Sequence, residues 1–206
     1  MEKTNTEIKP ERRRFLGTVL PAGCLSCLGL ACRHTTPVVE QKLPVWTHKF
    51  QEDSQWSFEK VFRRIYQNQV DVLSDVAEEI GRERVVGIVK AQAEKRAREN
   101  GQRVAKAEGV DFHAYTDWAR QPDRFWQHAL TFTIVEDSPK ALEIKVTECL
   151  WAETFKGAKG EDFGYATICH PDFAFASGYS SKLELVRSKT LMQGDAFCNH
   201  RWIWRG

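Results

Sequence analysis

Past residue 32 this chain lacks an excess of charge of either sign. The whole sequence has 30 basic and 28 acidic residues; five basic and three acidic ones fall in residues 1–32, which leaves 25 of each. A domain so balanced offers no electrostatic footprint for a nucleic acid, and none is expected as a partner. Long hydrophobic runs are lacking too. The most apolar stretch, residues 15–32, is broken by Pro21 and by Gly17, Gly23 and Gly29. It is borderline short for a bilayer span, which needs about 20 apolar residues. No internal repeat or heptad run is present, which excludes solenoids and coiled coils. Cysteine is scarce: six in all, with Cys24, Cys27 and Cys32 in the first 32 residues, so that only Cys149, Cys169 and Cys198 remain. The segments around these three contain neither C-x-x-C nor H-E-x-x-H, so no standard zinc signature is there.

What is present begins with an export pattern. A polar, basic start leads into Arg12-Arg13-Arg14-Phe15-Leu16-Gly17 and then the interrupted apolar run. Two adjacent arginines, one spacer, then Phe-Leu read residues 1–32 as a twin-arginine signal. The export machinery is the expected partner, and the periplasm or cell envelope the expected location. Leu28-Gly29-Leu30-Ala31-Cys32 resembles a lipobox, and Pro21-Ala22-Gly23-Cys24 is a second imperfect one. A membrane tether would run through Cys32 or Cys24. Residues 33–54 are polar, contain Pro37 and Pro44, and read as a linker. Residues 55–206 are long enough for a single domain with its own core. Three thiols are an odd number for disulfides in an oxidising compartment, which favours a chemical role for at least one.

Hydrophobic spacing organises this domain. Phe58, Phe62, Ile65, Val70, Leu73, Val76 and Ile80 recur at mostly three- and four-residue steps, which predicts an amphipathic helix over 54–81 that Gly81 stops. A second helix is expected over 83–99, broken at Asn100-Gly101. Phe112, Tyr115 and Trp118 suit a short helix over the core, and Gln121-Pro122-Asp123 a turn. Residues 129–135 and 141–147 form a predicted hairpin around Glu136-Asp137-Ser138-Pro139. Helices follow at 149–157 and 161–169, then strands at 183–188 and 197–204. The expected class is α+β: N-terminal amphipathic helices packed on an antiparallel sheet built mainly from the C-terminal half.

The last third carries the candidate chemistry. Each late cysteine has an acid or imidazole close by: Glu148-Cys149, Cys169-His170-Pro171-Asp172, and Asp195-Ala196-Phe197-Cys198-Asn199-His200. Strand alternation over 197–204 puts Cys198, His200 and Trp202 on one face, with the first two about 7 Å apart. Asn199, Arg201 and Ile203 take the other face. Cys149 falls where a strand passes into a helix, a position expected to lower a thiol pKa. Cys169 and Asp172, three apart around Pro171, can face one side of a tight turn. Two chemistries fit. A thiolate can attack an electrophilic carbon, with His170 or His200 as base and Asp172 or Asp195 as its orienter. Alternatively, two or three of Cys149, Cys169, Cys198 and His200 can hold Zn²⁺ or another divalent ion that activates water. Trp118, Trp126, Trp151 and Trp202 are expected in the core or as pocket walls.

Three of these segments also carry a family resemblance. Glu148-Cys149-Leu150-Trp151-Ala152-Glu153, Cys169-His170-Pro171-Asp172, and Thr190-Leu191-Met192-Gln193-Gly194-Asp195-Ala196-Phe197-Cys198 resemble the L-2-amino-thiazoline-4-carboxylic acid hydrolase family. The resemblance covers roughly residues 55–204 and is strongest from 148 onward. It implies a hydrolase that opens a small cyclic, amidine-like substrate such as a 2-aminothiazoline carboxylate. Under it, Cys198 or Cys169 adds at the ring carbon between nitrogen and sulfur, and Asp172 or Asp195 binds the amidinium. Arg187 or Arg201 holds a substrate carboxylate, and Glu148 and Cys149 line the substrate site. The competing reading is a non-catalytic, exported module that binds a metal or a small ligand in the same pocket.

Overall fold

The computed structural model describes residues 56–206. The export, tether and linker readings fall on residues 1–54, outside the described residues. Among the described residues no helix is long and apolar enough to cross a membrane.

A helical hairpin comes first. Helix α1 (Phe58–Ile80) starts at Ser57, whose hydroxyl accepts the Lys60 N–H at 3.3 Å, and ends at Gly81. Gly81 has φ 91°, a left-handed value that glycine adopts without strain, so one residue both stops α1 and starts α2 (Arg82–Glu108). The expected break at Asn100-Gly101 does not occur: α2 runs straight through. Gly101 is there for packing. A Cβ at this position would run into the Phe175 carbonyl and lie 2.7 Å from the Tyr179 amide, both on the backbone of α7 (Pro171–Tyr179). In return, a Cβ on Gly178 would strike the Arg98 backbone. The two helices therefore cross at backbone contact, each through the other's glycine.

This crossing gives a prediction of opposite signs. Gly101→Ala and Gly178→Ala are each expected to destabilise the fold by about 1–3 kcal/mol, because the obstacle is backbone and the helices must part. Gly87→Ala, also inside α2 but with nothing within 4 Å of the new Cβ, is expected to stabilise by up to about 1 kcal/mol. Urea unfolding midpoints of the three variants check both signs.

Between the hairpin and α7 come α3 (Phe112–Arg120), α4 (Arg124–Ala129), β1 (Leu130–Ser138), β2 (Ala141–Cys149), α5 (Leu150–Gly157) and α6 (Glu161–Gly164). The turn at 121–123 is real, but Asp123 also caps α4 by accepting the Trp126 N–H at 3.1 Å. The hairpin turn is shorter than expected. Glu136 and Asp137 stay in β1, and the Ser138 hydroxyl accepts the Ala141 N–H at 2.9 Å and donates to the Ala141 carbonyl. Strands β3 (Leu183–Val186) and β4 (Cys198–Trp204) complete one antiparallel sheet in the order β1-β2-β4-β3. Helices α1–α4 precede this sheet and α5–α7 fall between β2 and β3; with one antiparallel sheet in the C-terminal half, the α+β expectation holds. Helix α7 had no signature in the sequence. It is packed on α2 and on the core, so its apolar residues do not gather into one stripe.

Two apolar clusters form the interior. One joins Phe112, Leu142, Ile144, Val146, Ala176, Tyr179, Leu185 and Trp202; the other joins Phe62, Val70, Trp151, Phe155, Phe163 and Met192. Leu130, Cys149 and Leu191 pack against both.

Candidate functional site

Where the clusters meet, the fold forms a partly open cavity of about 280 Å³. Cys149, Cys169 and Cys198 all line it, together with Asp172, Arg187, His200 and the indoles of Trp118, Trp126, Trp151 and Trp202. Local geometry explains each placement. In β4, Cys198 lies opposite Val146 and His200 opposite Ile144, and alternation turns both side chains inward. Cys149 ends β2 and precedes α5. Cys169 closes a π-helical turn, Tyr165–Cys169, in which the His170 N–H reaches back five residues to the Tyr165 carbonyl at 2.8 Å. Such a turn inserts a residue into the helical register, and here it leads directly into α7 with Asp172 in the first turn.

Arg187, just after β3, knits the polar end together. Its side chain is 3% exposed. One Nη1 donates to Asp172 Oδ2 at 2.9 Å and to His200 Nε2 at 2.9 Å, and Nη2 donates to the Cys169 carbonyl at 2.7 Å. The guanidinium also lies over the Phe173 ring, 4.9 Å from its centroid. These bonds decide the histidine's tautomer. Asp172 Oδ2 is 3.7 Å from His200 Nε2, but the nearer Arg187 group can only donate. Nε2 must therefore accept, and the proton of a neutral imidazole sits on Nδ1. That Nδ1 is buried and has no hydrogen-bond partner within the described residues; neither has the indole Nε1 of Trp151.

The three thiols are free and differ in environment. Cys198 Sγ accepts the Leu191 N–H at 3.1 Å, and the Thr190 hydroxyl lies 3.7 Å from it and 3.9 Å from Cys169 Sγ. Cys149 does sit at a helix start, but its pKa moves opposite to expectation, from 9.0 to about 11. Burial is the largest cause and outweighs the Ala152 and Trp151 backbone donors. Burial also pushes Cys169 to about 12 against the pull of the Arg187 guanidinium.

Both raised thiols hold their protons more tightly folded than unfolded. Stability from them is intact below pH 9 and is lost as pH rises through about 11 to 12. The melting temperature is therefore expected to fall across that window, and the Cys149→Ala/Cys169→Ala double variant to show a flatter decline in the same thermal scans.

Several sequence candidates lie elsewhere. Asp195 accepts the Thr190 N–H at 2.8 Å and closes the loop that carries Thr190 and Leu191, but it does not line the cavity. His170 faces Glu94 at 3.4 Å and the rings of Tyr165 and Phe173. Glu148 accepts from the Thr131 hydroxyl at the exposed sheet surface. Arg201 takes the opposite face of β4 and pairs with Glu136 at 2.8 Å and Glu143 at 3.5 Å. The candidate metal ligands Cys149, Cys169, Cys198 and His200 share the cavity, and among the described residues no group of three or more Cys, His, Asp or Glu is arranged to hold an ion. Sequence reading missed Thr190, which stands inside the motif that ends at Cys198 and could have been read from it. It also left the partners of Arg187 open.

Thiols, the Arg187–Asp172–His200 cluster and four indoles thus line one partly open cavity of an α+β domain. The chain belongs to the L-2-amino-thiazoline-4-carboxylic acid hydrolase family, whose model matches residues 59–202. No curated protein matches it. Solved structures similar to it include the phenol-responsive sensory domain of the transcription activator PoxR with phenol, at 9% identity over 67% of this chain and 73% of that chain, with TM-score 0.45. Another is a trafficking protein particle complex subunit 3 from Naegleria fowleri covalently bound to palmitic acid, at 13% identity over 71% and 97%, with TM-score 0.42.

Proposed function

We propose that this protein hydrolyses a small cyclic, amidine-like substrate such as a 2-aminothiazoline carboxylate, with Cys198 as nucleophile. The observation that carries the reading is the Leu191 N–H aimed at Cys198 Sγ beside the Arg187–Asp172–His200 cluster. A backbone donor on sulfur strengthens as charge develops there. Desolvation raises the Cys149 and Cys169 thiols to about 11 and about 12, which makes either a weaker source of thiolate than an ordinary cysteine.

In this scheme Cys198 sulfur bonds to the ring carbon between nitrogen and sulfur. The ring C–S bond breaks, and the departing sulfur takes the proton that Cys198 released. Water then adds to the same carbon, its oxygen stays there, and Cys198 leaves as a thiol. The net change is one water added across the ring C–S bond. Asp172 accepts from the amidinium, and the His200 Nδ1–H donates to a substrate acceptor. Arg187 already serves Asp172, His200 and the Cys169 carbonyl, so its role is to hold those groups in place.

Incubation with 2-aminothiazoline-4-carboxylate is expected to release a new thiol, and rapid acid quenching to trap a mass adduct on the peptide containing Cys198. If no thiazoline or cyclic amidine is turned over and the ligand is recovered intact from a stoichiometric complex, the protein is a binding module instead. Export is part of the same proposal. Replacing Arg12 and Arg13 together by Lys is expected to leave the chain in the cytoplasmic fraction, whereas unchanged fractionation would remove the twin-arginine reading.

A further inference from the structure

The cavity's two ends differ in chemistry. At one end Asp172 and Arg187 neutralise each other beside His200. From there a continuous aromatic wall runs away: His200 stacks on Trp202 at 5.7 Å, Trp202 meets Trp118 at 5.8 Å, Trp118 meets Trp126 at 5.1 Å, and Trp126 meets Trp151 at 6.0 Å. A single small ring with a carboxylate uses the polar end and leaves most of this wall untouched. Trp118 and Trp126 are only half buried although they line the cavity. Indole faces that border open space forgo the dispersion contacts that a packed core would supply. Among the described residues, two buried donors, His200 Nδ1–H and Trp151 Nε1–H, also lack acceptors.

From this arrangement we infer that the substrate carries an aryl or similarly large apolar group beside its polar ring. The polar ring sits at the Arg187–Asp172–His200 end with an acceptor atom toward the unpartnered His200 Nδ1–H. The apolar group lies along Trp202, Trp118 and Trp126. The lining charges cancel, so the fitting molecule has no net charge: neutral, or an amidinium balanced by its own carboxylate. The inference rests on the proposed function only in taking this cavity as the ligand site.

Two probes test it by calorimetry on the full chain carrying Cys198→Ala, which prevents turnover during titration. They are 2-aminothiazoline-4-carboxylate and its 5-phenyl derivative. The phenyl compound is expected to bind about tenfold tighter or more, as burial of one aryl group against aromatic walls delivers. Adding Trp118→Leu is expected to remove that gain, with circular dichroism showing that the variant is folded. Equal affinities, exclusion of the phenyl compound, or binding of neither would overturn the inference. The wild-type turnover assay is decided separately. Turnover of the bare ring without a phenyl preference leaves the hydrolase reading standing and this one not; phenyl preference without any turnover does the reverse.

Discussion

Cys198→Ala is expected to lower ring-opening turnover by about 10³-fold or more, the scale on which removal of a covalent nucleophile acts. Cys149→Ala and Cys169→Ala are expected to stay within about tenfold of the parent, since neither thiol bonds to the substrate in the proposed scheme. The contrast follows from the surroundings of each sulfur. Cys198 receives the Leu191 N–H at 3.1 Å. The other two are pushed to about 11 and about 12, so almost none of either is thiolate near neutrality. Initial rates of thiol release measure the effect, and circular dichroism shows that each variant is folded. Cys198→Ser guards against a packing artefact, because it keeps the size of the side chain and weakens the nucleophile. Full turnover by both Cys198 variants would end the thiol mechanism.

Arg187→Met is expected to destabilise the domain by about 2–3 kcal/mol, below the roughly 3–5 kcal/mol of a fully buried pair because the Asp172 side chain is 45% exposed. Methionine fills the volume but offers no donor. Asp172, His200 Nε2 and the Cys169 carbonyl would each lose their bond to the guanidinium. Guanidinium chloride unfolding measures the loss. A second readout separates this from general damage. Nitrogen chemical shifts of His200 are expected to report the Nδ1–H tautomer in the parent and a mixture in the variant, because nothing then forces Nε2 to accept. An unchanged tautomer would mean that Arg187 does not set it.

Much of the frame could be read along the chain. Helix α1, the hairpin of β1 and β2, and the alternation that sets Cys198 and His200 side by side are all present in the structure, although Ile65, Val76 and Ile80 of α1 are exposed. Each is set by the geometry of near neighbours, with period 3.6 in a helix and 2 in a strand. Where a single residue had two readings, local pattern gave the wrong one. Asn100-Gly101 looks like a break until α7 is seen lying across it, and the start of α5 looks activating until desolvation of the half-buried Cys149 thiol is seen to outweigh it.

The sequence by itself determined the class of fold, the family, and that the late cysteines gather with acids and histidines. Tertiary structure decided which of those groups meet. It brought Arg187 and Asp172 to the cavity and sent Arg201 and Asp195 elsewhere, and it set indoles from α3, α4, α5 and β4 around three thiols. The reason is physical. Side-chain direction along one element follows from its own backbone. Burial, hydrogen-bond partners and the pKa shifts they cause depend on groups delivered from distant parts of the chain, and no local spacing encodes them.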